Sequence, residues 1–104
     1  MRIVLTLAIL VGAAVLEAGG DALIRLGLHG FRFWIVAGGL ALAAYGVVVN
    51  LGTLDFGRLM GVYIVVFFIV SQLIAVAVFH QPPARGTILG GTLIVIGGAV
   101  MMAL

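Results

Sequence analysis

The chain is 104 residues long, 65% hydrophobic and only 8% charged, whereas soluble domains carry about 45–50% apolar and about 25% charged residues. That balance excludes a soluble fold, and the apolar residues come in unbroken runs near the roughly 20 residues a helix needs to cross a bilayer. Cysteine is absent, so neither disulfides nor thiolate metal sites arise, and the two histidines fall in different loops, which makes no metal site.

Four spans are expected in chain order, approximately 3–24, 33–54, 59–79 and 87–104, forming one all-α transmembrane domain over 1–104. The connections RLGLHGFR, DFGR and HQPPARG collect nearly all remaining charge, both histidines and both prolines. The alternation of apolar and polar residues that a transmembrane β-barrel needs does not occur, which leaves helices as the spanning solution. The first segment, although it follows Met1-Arg2 as a secretory signal would, is expected to stay as a span because the chain after it is itself membrane-spanning.

The first span carries Glu17, Asp21 and Arg25 four residues apart, and on a helix they share one face. Glu17 lies about 20 Å along a helix begun at Ile3, where insertion of a central Asp costs about 2.5–3.5 kcal/mol. Acids kept at such depth face a cavity or a partner and mark ion or proton routes. Leu10, Ala13, Ala14, Gly20 and Ile24 share its face, and the small ones leave room beside the carboxyl group. Glu17 is therefore the expected site of proton and substrate binding, the alternative being a structural acid bonded to Asn50 or Tyr63. Asp21 and Arg25 make either an i,i+4 ion pair near the interface or part of the same site.

The second span sets Gly39, Gly46 and Thr53 seven residues apart, with Asn50 one turn after Gly46 as an expected hydrogen-bonding partner between helices. In the third, Tyr63, Phe67, Val70 and Ile74 share one face, and Gly61, Phe68 and Gln72 lie opposite. The last repeats glycine at Gly90 and Gly97, and at Gly91 and Gly98. Stripes of this kind let backbones approach closely where lipid removes the hydrophobic incentive to associate. Gly90 and Gly97 are the expected dimer contacts, the alternative being packing inside one subunit.

Lysine is absent, and four spans put Arg2 and Arg58 on one side against Arg25, Arg32 and Arg85 on the other. Orientation follows an excess of positive charge on the cytoplasmic side. Two against three instructs the chain weakly, so insertion in both orientations is expected.

The order of these features resembles the small multidrug resistance family of the drug/metabolite transporter superfamily, over almost the whole chain. The acid followed by glycine three residues later is Glu17 and Gly20, the basic residue eight positions on is Arg25, the tyrosine early in the third span is Tyr63, and the glycines seven apart are Gly90 and Gly97. The opening of the third span, FGRLMGVY, replaces the family's usual Pro-x-Gly-x-Ala-Tyr, Val66 stands where the family carries tryptophan, and Asp21 has no counterpart; a small uncharacterised relative of that family fits these departures. The resemblance implies an antiparallel homodimer in which paired Glu17 residues bind either protons or a hydrophobic cation.

The leading expectation is a proton-coupled exporter of cationic or amphipathic compounds in a bacterial inner membrane, with Tyr63 lining and orienting the Glu17 site. A flippase subunit for a lipid-linked anion, bound through Arg25, and a non-transporting membrane subunit docked by its glycine faces are the alternatives. The expected partners are membrane lipids, protons, a small substrate and a second copy of the chain. Nucleotide motifs are absent, and no enzymatic activity, cofactor or nucleic acid is expected.

Overall fold

The computed structural model describes residues 2–104, as four helices: α1 Arg2–Leu28, α2 Phe33–Val49, α3 Phe56–Phe79 and α4 Arg85–Ala103. α1, α3 and α4 are long and apolar enough to cross a membrane, and α2 is a shorter apolar helix. The all-helical membrane class holds; α3 and α4 begin two or three residues earlier than expected, and the larger shifts of boundary are at the ends of α1 and α2. α1 runs on to Leu28, so its 27 residues extend about 40 Å. α2 stops at Val49 after 17 residues rather than continuing to Leu54, which removes Thr53 from the register of Gly39 and Gly46.

The reason for the early stop lies at Asn50. Its backbone N–H turns to the carbonyl of Val47 at 3.2 Å, and that of Leu51 to Val48 at 3.1 Å, tightening the last turn. The Gly46 carbonyl that loses its helical donor is taken instead by the side-chain amide of Asn50 at 2.8 Å. Terminal carbonyls need such partners, and an asparagine competes well for them. Asn50 is thus an exposed helix cap rather than a bond between helices.

In order of backbone contact the helices form a row, α2–α1–α3–α4: α1 packs against both α2 and α3, and α4 packs only against α3 among the described residues. The resulting slab measures 45 × 34 × 21 Å, about two helix diameters thick. Its core is one cluster of Leu10, Ala13 and Ala14 from α1, Val49 from α2, and Leu59, Val62 and Tyr63 from α3.

Glycines set the two outer seams. Where α1 crosses α2, a Cβ on Gly38 would lie 2.5 Å from the Gly20 carbonyl oxygen and 3.0 Å from the Ile24 nitrogen. Where α3 meets α4, Phe68 occupies the space a side chain at Gly91 would need, Val65 that at Gly98, and Met101 that at Gly61. The α3 face carrying Gly61 and Phe68 is therefore the one turned to α4. Arg58, at the start of α3, donates from Nε to the carbonyl of Met101 at 2.9 Å and from Nη2 to that of Met102 at 3.3 Å. A guanidinium there satisfies the end carbonyls of α4 and complements the negative end of its dipole.

Gly38 and Gly39 give a paired test, since nothing lies within 4 Å of an added Cβ at Gly39. Gly38→Leu is expected to destabilise the protein by about 1–3 kcal/mol, the usual penalty of overpacking, and Gly39→Leu to leave it unchanged, as read by thermal unfolding in mild detergent. Equal stability of the two variants would overturn the close crossing.

Candidate functional site

Glu17 sits near the middle of α1, about 22 Å from one end and about 16 Å from the other. It is half-buried, and its partner comes from 46 positions away: the Tyr63 hydroxyl donates to Glu17 Oε1 at 2.7 Å. Tyr63 is only 4% exposed and belongs to the core cluster, so the donor is fixed by packing before it meets the acid. Its ring lies between two others, stacked on Tyr45 of α2 with centroids 5.6 Å apart and tilted against Phe67 of α3 at 6.0 Å.

Tyr45 is the member of the site that the sequence reading missed. α2 and α3 do not pack backbone to backbone among the described residues, and the Tyr45 ring spans the gap between them. A signal for it was present. Tyr45 falls seven residues after Gly38, at the register of the α2 face that crosses α1, and a tyrosine inside an apolar span needs a use for its polar end.

Beside this pair a cleft of about 500 Å³ opens between the C-terminal halves of α1 and α3. Ala18 and Phe67, each adjacent in register to the Glu17–Tyr63 pair, line its inner part; Asp21 and Ser71 lie farther out; Arg25, His29, Phe79 and Gln81 lie toward the mouth. Glu17 and Tyr63 are not among the lining residues, which begin one position after Glu17 at Ala18 and run toward the α1–α2 and α3–α4 connections.

The remaining expected residues divide. Asp21 lines the cleft, one turn from Glu17. The ion pair between Asp21 and Arg25 is not made: the Arg25 guanidinium carbon lies 5.3 Å from the centroid of the Phe79 ring, on the opposite wall. A ring face attracts a guanidinium, and the length of arginine lets it reach across to α3. Asn50 is not in the site, since its amide is spent on the Gly46 carbonyl. The glycines of α4 separate as well. Gly91 and Gly98 are buried against α3, whereas an added Cβ at Gly90 or Gly97 meets nothing within 4 Å. The pair expected to make dimer contacts thus lies off the intrasubunit seam.

No family model matches the chain, and no solved structure matches it. It is similar to curated membrane proteins of one family. A UPF0060 membrane protein of Nocardia farcinica is 39% identical over 93 residues, covering 86% of this chain and 84% of that protein. One from Frankia casuarinae is 38% identical over 105 residues, covering 98% and 96%. Another, from Staphylococcus aureus, is 33% identical over 93 residues, covering 86% of each. Likeness of this extent, in a chain whose apolar helices are built to span a bilayer, makes this protein a member of the UPF0060 family of membrane proteins.

Proposed function

We propose that the chain is a small proton-coupled transporter of a bacterial inner membrane, which exports cationic or amphipathic compounds by alternating access as an antiparallel homodimer. The observation that carries this reading is the depth of Glu17, near the middle of α1 and one turn from the cleft-lining Asp21, since the Tyr63 bond is one that a structural acid would also make. A phenol hydroxyl can donate to a carboxylate or accept from a protonated carboxyl group. The pair therefore keeps its hydrogen bond in either state, and a cation arriving through the cleft can take the place of the proton. Exchange of one for the other avoids an empty charge in lipid, whose desolvation is costly.

The dimer is part of the same proposal, because four helices alone enclose little. A second copy inserted in the opposite sense makes an inverted repeat with the site at the interface near the midplane, the plan of larger transporters. The open glycines, Gly90 and Gly97, supply a surface for close helix approach. The resemblance to the small multidrug resistance family supports the same reading. Arg25, free of Asp21 and turned into the cleft, favours a second one, a carrier of a lipid-linked anion.

Three experiments test these statements. Addition of a lipophilic cation to the purified protein is expected to release protons, and Glu17→Gln to abolish both release and export. Tyr63→Phe removes a hydrogen bond to a charged group and is expected to weaken binding by roughly tenfold or more. If Glu17→Gln transports as the wild type does while Arg25→Gln does not, the anion carrier replaces the exchanger.

Orientation is tested by reporters fused after Leu104. Activity is expected on both sides of the membrane, and two or three added lysines should bias it to one. A chain found wholly in one orientation is incompatible with the antiparallel homodimer.

Gly97→Leu is expected to dissociate dimers in detergent without unfolding the subunit, because nothing within the subunit occupies that space. Sedimentation showing unchanged dimers would remove Gly97 from the interface.

A further inference from the structure

The cleft carries a charge pattern that a simple cation does not use. Its wall holds one carboxylate, Asp21, and one guanidinium, Arg25, a single turn apart on α1 and not paired with each other. Both are exposed along the cleft; Asp21 is one turn from Glu17, and Arg25 one turn further toward His29 and the end of α1. The wall facing them is largely apolar, with Phe67, Ile74 and Phe79 from α3. Ser71 spends its proton on the Phe68 carbonyl at 2.8 Å, so its oxygen faces the space as an acceptor.

A lone cation drawn to Asp21 would lie within reach of the charge on Arg25, and a lone anion drawn to Arg25 would lie within reach of Asp21. Both repulsions grow as the local dielectric falls below that of water. A site that holds an unpaired charge against each single-charge ligand selects against both. A solute with a charge at either end satisfies the two walls together, and its hydrocarbon middle meets the phenylalanines. The volume, about 500 Å³, falls in the roughly 300–1,000 Å³ range of small-molecule pockets.

We propose that the cleft takes a small zwitterion, with its cationic group turned inward to Asp21 and the Glu17–Tyr63 pair and its anionic group outward to Arg25. This rests on the exchanger reading and narrows it. The cationic end competes with the Glu17 proton, as any cation would, and Arg25 adds selection for the second charge. A zwitterion reaches such a cleft either as a free solute or as the headgroup of a membrane lipid, and the chemistry is the same.

The test uses wild-type protein purified in non-ionic detergent and three probes, with calorimetry and proton release as readouts. The first is 4-(trimethylammonio)butanoate, the second its methyl ester, which keeps the cation and lacks the anion, and the third dihexanoylphosphocholine. The zwitterion is expected to bind about tenfold or more tightly than the ester, the scale of one charge-assisted hydrogen bond. Arg25→Gln should erase that difference by weakening the zwitterion alone, and Arg25→Lys should restore part of it. Strong binding of the phosphocholine with weak binding of the free zwitterion assigns the source to lipid, and the reverse to a solute. If the ester binds as tightly as the zwitterion and still releases the Glu17 proton, the zwitterion proposal fails and the exchanger stands. If no probe and no lipophilic cation releases a Glu17-dependent proton, the exchanger fails and the proposal with it.

Discussion

Everything at the centre of this protein depends on one hydrogen bond, from the Tyr63 hydroxyl to Glu17 Oε1. Hydrocarbon offers a carboxyl group no partner, so the helix that carries it must bring one. A hydrogen bond to a charged group is worth about 1.5–3 kcal/mol, against about 2.5–3.5 kcal/mol for placing a charged residue at the centre of a span. One well-placed bond nearly offsets the insertion cost. It does so only if the donor needs no further ordering, and Tyr63 meets that condition because its ring is held between Tyr45 and Phe67 and almost wholly buried. The same bond sets the register of α1 against α3, two helices whose sequences are separated by the whole of α2.

The glycines then divide the row into two tight pairs. α1 and α2 meet at Gly20 and Gly38, with backbone almost touching backbone, and α3 and α4 meet at Gly61, Gly91 and Gly98, with Arg58 closing the end. Between the pairs runs the α1–α3 seam, where the core cluster, the Glu17–Tyr63 bond and the cleft all lie.

How much of this was legible in the sequence follows from the range of each interaction. The four helices and the depth of Glu17 depend on hydropathy and spacing along one helix, and both can be read without partners. Tyr63 was legible as one of two polar partners open to a buried acid and from the resemblance, while its shared face with Phe67 by itself indicated only packing. The end of α2 was not, because hydropathy continues through Leu51 and Leu54 while the local competition of the Asn50 amide for the Gly46 carbonyl decides the stop. Nor could spacing tell Gly91 and Gly98 from Gly90 and Gly97, since both pairs are seven apart and differ only by 100° around the helix; the bulk of Val65 and Phe68 on α3 makes the choice. Spacing left Arg25 open to its near neighbour Asp21 or to the site, and the structure hands it a ring on another helix.

The half-exposed state of Glu17 has a further consequence for assembly. A carboxylate has two oxygens and can accept at both, and Tyr63 takes only Oε1 among the described residues. The second oxygen makes no hydrogen bond among the described residues and is not wholly buried, at a depth where lipid supplies no donor. A proton, a cationic solute, or a donor from another protein chain can fill that place, and hydrocarbon cannot. Under the proposed exchanger reading the first two alternate at that oxygen, and the antiparallel homodimer proposed with it would supply the third.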